Sequence, residues 1–175
     1  MTDCKLLIAG QGGQGVVFLS RLLSQTALMA GDDFITYESH GMAMRGGSVT
    51  SQVKIGNYRS PLIGEKSADL LLVLAADEFQ RNRHFVRPGG ISLVNSPHSL
   101  ADLPSENFCG ATAVALEHKL AKAVNLVFCG WAAQHPAFPY NFAQIREAIK
   151  LMAVSPDIET ANLRALEIGR QLSIR

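Results

Sequence analysis

The sequence predicts an α/β protein with a largely parallel sheet, and two observations lead to this class. Short apolar strand patterns alternate with amphipathic helical patterns early in the chain, whereas helical patterns dominate the later part. The strands are continuous apolar runs, above all residues 69–75, which is typical of strands covered on both faces. A length of 175 residues without a linker-like stretch predicts one domain, residues 1–175.

The first unit of the chain consists of a strand, a glycine turn and a helix. Residues 4–9 are almost all apolar and predict the strand. Apolar residues then recur at steps of three and four from Val16 to Ala30, which predicts a helix with one buried face and Gly31 as its C-cap. Between them, Gly10, Gly12 and Gly15 fit the spacing G-x-G-x-x-G.

The remaining elements follow from periodicity and turn residues. Strands are predicted at residues 34–37, 49–55, 69–75 and 91–95, with turns at 56–57 and 87–90 and a loop at 96–106. Helices are predicted at residues 77–84, with Asp77 as a cap, at 111–126 and 141–152, and from Ser155-Pro156 onward.

The glycine turn is the first candidate site. It consists of Gly10, Gln11, Gly12, Gly13, Gln14 and Gly15. Glycine permits positive φ and lets a ligand approach the bare backbone, while the helix start offers unpaired N–H groups and a positive dipole end to an anion. Backbone donors and the two glutamine amides therefore predict a cradle for a diphosphate. The alternative is a tight strand-to-helix turn that binds nothing.

A second candidate site follows the second strand, at the end where open α/β sheets place their ligands. Its members are Glu38, Ser39, His40, Arg45, Gly46 and Gly47. The Arg45 guanidinium offers a fork of donors for phosphate or carboxylate, and the glycines expose backbone amides. The imidazole of His40 could titrate near neutral pH. Two alternatives stay open: Arg45 pairs with an acid such as Glu38, and His40 has no role.

Missing motifs exclude several functions. No Lys-Ser or Lys-Thr pair follows Gly15, so the turn is not a P-loop for nucleoside triphosphates. The sequence has no G-x-S-x-G elbow, no recognisable pair of acid and base carboxyl groups, and no histidine spacing suited to a metal. We therefore predict that this chain contributes neither a catalytic residue nor a metal ligand, and that it is a ligand-binding component rather than a complete enzyme.

Composition predicts the compartment of the protein and excludes several kinds of partner. Cys4, Cys109 and Cys129 lie far apart and form no C-x-x-C, which predicts a reduced, cytoplasmic protein without its own iron–sulfur or zinc site. A net charge of +1 predicts no binding to nucleic acid. The absence of a signal-peptide pattern and of an apolar stretch near the roughly 20 residues that span a bilayer predicts no membrane association.

Several motifs occur together and in order along almost the whole chain. The turn GQGGQG at residues 10–15 is followed by ESHGM at 38–42 and RGGSV at 45–49. Further pieces are DLL at 69–71, RPGG at 87–90, N-x-x-x-x-G at 125–130 and NLRALEIG at 162–169. This set resembles the gamma subunit or domain of 2-oxoacid:ferredoxin oxidoreductases, and within that family the small (beta) subunit of indolepyruvate oxidoreductase.

The resemblance implies a Rossmann-like, three-layer fold with a helical C-terminal part. It also implies a subunit, inactive alone, of an enzyme that oxidatively decarboxylates a 2-oxoacid to an acyl-CoA and passes electrons to ferredoxin. Thiamine diphosphate and iron–sulfur clusters are expected on the larger partner subunit or subunits. The glycine turn becomes a candidate for the diphosphate of coenzyme A. Apart from the resemblance, a homodimer of the isolated chain is expected if its apolar surface serves to hold a partner.

Two other functions stay open from the residues. Glu38 lies where a dinucleotide-binding domain carries the acid that bonds the ribose, so the chain could be a self-sufficient NAD(P)-dependent oxidoreductase. Alternatively, it could be a purely structural subunit that uses apolar surface to hold a partner and binds no nucleotide.

Overall fold

In the computed structural model, residues 3–40, 46–101 and 107–173 are described. The strands are β1 (Cys4–Gln11), β2 (Phe34–His40), β3 (Ser48–Ile55), β4 (Ala68–Val73), β5 (Val86–Asn95) and β6 (Phe108–Cys109). The α-helices are α1 (Val16–Ala30), α2 (Asp77–Asn82), α3 (Ala111–Glu117), α4 (Val124–Ala132), α5 (Phe142–Met152) and α6 (Pro156–Arg170). Short 3₁₀ turns occupy Arg83–Phe85 and Ala121–Ala123.

The strands of the described residues form one sheet in the order β2-β3-β1-β4-β5-β6. The pairs β1–β4, β4–β5 and β5–β6 are parallel, whereas β3 runs antiparallel to both β2 and β1. The prediction of a largely parallel sheet is therefore confirmed, with β3 as the inverted strand. Because β3 lies between β1 and β2, these two strands are not neighbours.

Alternate residues of β1 point to the two faces of the sheet, and each face has its own apolar core. Leu6 and Ile8 pack with residues of α1, α4, α5 and α6, whereas Leu7 and Ala9 pack with Phe79 of α2. Helices thus cover both faces, as the continuous apolar strands predicted. The large core, which includes the buried Trp131, lies on the α1 side.

Most predicted elements are present, and their caps explain where they end. The bounds of α1 match the prediction, and Gly31 is its C-cap with φ 73°. Asn141 and Gln144 form a capping box at the start of α5, and Ser155 caps α6 ahead of Pro156. These local signals act within a few residues, which is why the sequence reveals them.

Three predictions of local structure were wrong, and one element was missed. The helix predicted at residues 111–126 is divided into α3 and α4, and Lys119 between them adopts φ 60°. Residues 87–90 lie within β5, where a register shift between Ala68 and Leu70 accommodates them. Asp77 is the first residue of α2 and caps nothing through its side chain. The two-residue strand β6 was not predicted.

The C-terminal helices cross at two glycines. A Cβ added at Gly130 of α4 would lie 2.0 Å from the carbonyl oxygen of Leu166, and one added at Gly169 of α6 would lie 1.9 Å from that of Val127. No real Cβ approaches backbone so closely, so only glycine permits this separation of the helix axes. The final glycines of two sequence motifs, at residues 125–130 and 162–169, therefore serve the packing of α4 on α6.

Candidate functional site at the carboxyl ends of the strands

The chain changes direction across the sheet between β1 and β4. From β1 it continues into α1 on one face, and from β4 it continues into α2 on the opposite face. The loops after these two neighbouring strands therefore separate and leave a crevice at their carboxyl ends. In open α/β sheets this topological switch point is where ligands bind.

The glycine turn forms one wall of the crevice, and part of its backbone is already paired. Gln14 donates its N–H to the Gln11 carbonyl at 3.1 Å and accepts the Gln11 N–H on its side-chain Oε1 at 2.8 Å. Gly12 donates to the Gly47 carbonyl at 2.9 Å. Gly13 and Gly15, with φ of 94° and 84°, donate to no partner among the described residues. These two amides, rather than the whole turn, are available to an anion.

Gly10, the first residue of the glycine turn, lies inside β1, and its role is steric. A Cβ there would lie 2.9 Å from Cγ2 of Val16 and 3.1 Å from Cβ of Leu74. Glycine thus lets the start of α1 and the end of β4 approach the strand closely. Of the three motif glycines, Gly10 serves packing, Gly12 donates its N–H to the Gly47 carbonyl, and Gly15 serves the turn geometry.

The N-terminus of α1 has no side-chain cap. Gly15 occupies the N-cap position, and the first turn of the helix contains no acidic residue. Asn125, at the start of α4, packs over Gly15, with its Nδ2 3.5 Å from the Gly15 carbonyl oxygen. The unpaired N–H groups and the positive end of the α1 dipole therefore face the crevice without an internal anion to neutralise them.

Two adjoining cavities continue the crevice. One, of about 160 Å³, is lined by Gly13, Gln14, Leu74, Thr112, Ala121, Lys122 and Val124. The other, of about 370 Å³, has a mostly apolar lining. It is bounded by Gln14, Leu74, Ala75, Ala76, Asn95, Pro97, Gly110, Thr112, Ala113 and Leu116. Together they offer an apolar surface with amides and one lysine at the glycine-turn end, which suits an anionic ligand with an apolar portion.

Asn95 holds the far wall of the crevice. Its Nδ2 donates to the Leu74 carbonyl at 3.0 Å and to Thr112 Oγ1 at 2.8 Å, and its Oδ1 accepts the Thr112 N–H at 3.2 Å. The end of β4, the end of β5 and the start of α3 are thereby tied together. Sequence reasoning missed Asn95, Thr112 and Lys122, although a polar residue that closes an apolar strand, as in ISLVN, is a usable signal.

A buried carboxylate supports the side of the crevice that the glycine turn forms. Glu78 of α2 is 1% exposed and accepts hydrogen bonds from Ser48 Oγ at 2.7 Å and from Arg81 at 2.9 Å. Ser48 begins β3 and follows Gly47, whose carbonyl accepts the Gly12 N–H. Glu78 therefore fixes the start of the inverted strand, and through it one side of the glycine turn. Nothing in the sequence indicated this role.

The second predicted site is divided by the structure. Gly46, with φ 75°, and Gly47 precede the inverted strand and lie beside the glycine turn. Glu38 and Ser39 lie on the edge strand β2, where Glu38 pairs with Ser51, which in turn pairs with Ile8 inside β1. They line neither of the two cavities. The His40 side chain and residues 41–45, including Arg45, lie outside the described part of the structure.

The cysteines are positioned as apolar core residues. Burial raises the pKa of the Cys4, Cys109 and Cys129 thiols to about 12. Across residues 3–40, 46–101 and 107–173, no three His, Cys, Asp or Glu side chains are grouped as a metal site would require. In the same ranges, no helix is both long enough and apolar enough to cross a membrane.

Comparison with known proteins agrees with this architecture. The sequence model of the family described as pyruvate ferredoxin/flavodoxin oxidoreductase matches residues 5–172. The indolepyruvate oxidoreductase subunit IorB of Archaeoglobus fulgidus is 30% identical over 191 aligned positions, which cover 97% of this chain and 94% of that protein.

Solved structures show the same fold. Pyruvate oxidoreductase subunit PORC of Thermotoga maritima superposes with a TM-score of 0.76 at 21% identity, covering 97% of this chain and 96% of that one. A 2-oxoglutarate:ferredoxin oxidoreductase of Magnetococcus marinus, solved with 2-oxoglutarate, coenzyme A and succinyl-CoA bound, gives a TM-score of 0.78 at 19% identity. That match covers 97% of this chain and 31% of the larger one. By sequence and by fold, the protein belongs to the pyruvate ferredoxin/flavodoxin oxidoreductase family and is a subunit of an enzyme of that class.

Proposed function

We propose that the protein is the small subunit of a cytoplasmic, thiamine-dependent enzyme that oxidatively decarboxylates an aryl 2-oxoacid to its acyl-CoA. Electrons would pass to ferredoxin through the assembled complex. The similarity to IorB along nearly the full length of both chains supports an indolepyruvate-like substrate. The role as a small subunit is supported by the lack of any catalytic set among the residues of the crevice.

The redox and carbanion chemistry is assigned to partner subunits. Cys4 and Cys129 are buried in the large apolar core, and neither they nor Cys109 belong to a group of three or more possible ligands among the described residues. The donor set of the described residues thus does not fit an iron–sulfur centre. Thiamine diphosphate, when bound to the partner, would supply the carbanion stabilisation that decarboxylation needs.

Coenzyme A is the ligand that we assign to the crevice. The observation that carries this assignment is the uncapped N-terminus of α1 at the topological switch point. The free amides of Gly13 and Gly15 are suited to a diphosphate, and the Lys122 side chain lines the adjoining cavity. The apolar cavity beyond offers room for the rest of the molecule. Coenzyme A bound in the Magnetococcus enzyme is in keeping with this assignment.

A stand-alone NAD(P) enzyme is disfavoured by the strand order. The acid that bonds the ribose in dinucleotide-binding folds ends a strand adjacent to the glycine turn. Here β3 lies between β1 and β2, so Glu38 is two strands away from the turn, roughly 10 Å at the usual strand spacing. Measuring NADH fluorescence with the isolated chain checks this conclusion, and we expect no enhancement.

The test of the crevice uses Gly13, where an added Cβ meets nothing within 4 Å. Gly13→Asp and Gly13→Asn introduce side chains of equal size, and both residues tolerate positive φ better than other residues. They differ in charge alone. In the complex with the large subunit, we expect Gly13→Asp to raise the KM for coenzyme A at least about tenfold relative to Gly13→Asn, because a carboxylate beside the diphosphate repels it.

The outcomes distinguish a failure of the coenzyme A assignment from a failure of the proposed enzyme class. Equal KM values for the Asp and Asn variants would remove the glycine turn from the coenzyme A site while leaving the enzyme class intact. A wild-type complex that oxidises no 2-oxoacid in a panel of aryl, branched and short-chain substrates would overturn the proposed activity itself.

A further inference from the structure

The two edges of the sheet differ in length and in protection. The edge strand β6 has two residues, whereas β2 at the opposite edge has seven. All seven residues of β2 pair with β3 in one unbroken register, so no bulge twists the edge away. Among the described residues β2 has no second neighbour. Its outer row of backbone N–H and C=O groups is a template for another strand.

β2 has few of the usual protections of an edge strand, and Glu38 is its one acidic residue. Its sequence, FITYESH, contains no lysine and no proline, the residues that most often block pairing of exposed edges. Aromatic side chains are exposed on both faces instead: Phe34 is 38% exposed on the α1 face, and Tyr37 is 43% exposed on the other.

The pattern of β2 is complementary to itself. An antiparallel copy related by a two-fold axis at Tyr37, the midpoint of the strand, would pair all seven residues. Tyr37 would then face the Tyr37 of the second copy, an aromatic pair that stabilises antiparallel strands. Glu38 would face Thr36, so the two carboxylates would not lie directly opposite each other. A net charge of +1 also leaves little repulsion between two chains.

We propose that β2 is an interface between two copies of this chain, in which the sheets of both subunits join through antiparallel β2–β2 pairing about Tyr37. The contact is isologous, so it closes at a dimer and leaves no further edge of comparable length. It involves neither the glycine turn nor the cavities beside it, and so stands apart from the proposed coenzyme A site.

The first test is the mass of the full-length chain in solution. Light scattering coupled to gel filtration, at tens of micromolar protein, should show a dimer for the wild type. Tyr37→Lys places two like charges at the centre of the pairing and should yield a monomer with unchanged secondary structure. Val154→Lys is the matched control, because Val154 is 85% exposed and apolar but lies between α5 and α6. It should remain a dimer.

The second test examines the register and does not depend on the lysine variant folding. Tyr37→Cys should be cross-linked between copies by copper phenanthroline and oxygen, which oxidise two facing thiols to a disulfide. Leu62→Cys, at an exposed position outside β2, should cross-link far less. A monomeric wild type, a dimer that survives Tyr37→Lys, or equal cross-linking of the two cysteine variants would each overturn the proposal. A monomeric wild type combined with loss of large-subunit binding by Tyr37→Lys would also overturn it, because the large subunit rather than a second copy would then cover β2.

Discussion

The glycine turn after β1 and the crossing of α4 with α6 both depend on glycine, but for opposite physical reasons. At Gly13 an added Cβ meets nothing within 4 Å, and it is the backbone conformation, with φ 94°, that calls for glycine. At Gly130 the added Cβ would lie 2.0 Å from a carbonyl oxygen, and it is the space that calls for glycine. The first region leaves backbone amides without a partner among the described residues, whereas the second buries backbone against backbone. A glycine motif therefore does not by itself identify a binding site.

The largest expected effect comes from the crossing. Gly130→Ala or Gly169→Ala forces the two helices apart, and we expect a loss of about 3 kcal/mol in the free energy of unfolding. Urea denaturation followed by circular dichroism measures it. Gly64→Ala is the control, since its Cβ would meet its nearest neighbour, Ser67 Oγ, at 3.8 Å. If the crossing variants kept wild-type stability but lost affinity for coenzyme A, the division between the two regions would be wrong.

Gly15 combines both reasons and should give an intermediate effect. Its φ is 84°, and an added Cβ would lie 2.3 Å from Nδ2 of Asn125. We expect Gly15→Ala to lower the free energy of unfolding by about 2 kcal/mol, of which the left-handed conformation accounts for about 1. In the double variant with Asn125→Ala, the steric part should disappear and the conformational part should remain. Purely additive losses in this cycle would show that the contact with Asn125 is not strained.

The smallest expected effect concerns the exclusion of water from the crossing of α4 with α6. Cys129 precedes Gly130, and burial raises the pKa of its thiol from 9.0 to about 12. Between pH 9 and 12 the unfolded chain loses this proton while the folded chain retains it. Stability is therefore complete below pH 9 and falls as pH rises, by up to about 1.4 kcal/mol per pH unit for this thiol.

Unfolding free energies of the wild type and Cys129→Ala, compared between pH 8 and about 9.5, isolate that contribution, because Cys4 and Cys109 titrate in both proteins. Over this range the expected difference is below about 1 kcal/mol. Parallel pH profiles for the two proteins would indicate that water reaches the crossing.

The sequence revealed what local chemistry determines. The bounds of α1, its Gly31 cap and the capped starts of α5 and α6 depend on residues within one or two turns. The break between α3 and α4 at Lys119 could not be predicted, because the apolar pattern continues across it and no neighbouring residue requires a positive φ. The extension of β5 through residues 87–90 could not be predicted either, because RPGG is a turn signal and the strand resumes its pairing with β4 only at Ile91, opposite Leu70.

The candidate site was predictable in its position but not in its composition. The order of strand, glycine turn and helix predicted a candidate anion site at the start of α1, and the structure has an uncapped helix N-terminus there. The strand order could not be predicted from the sequence, because the insertion of β3 between β1 and β2 depends on contacts between residues distant in sequence. That insertion separates Glu38 from the turn and places Gly47 beside it. Asn95, Thr112 and Lys122 join the site only through tertiary packing.

The inverted strand has a consequence for how such proteins diversify. Because β3 runs against its neighbours, the connection from β2 to β3 begins and ends at the same rim of the sheet as the glycine turn. A hairpin connection at a rim can gain, lose or exchange residues while the ladder beneath it keeps its register. Relatives can therefore differ in the length of the segment between His40 and Ser48 without a change in the pairing of β2 with β3.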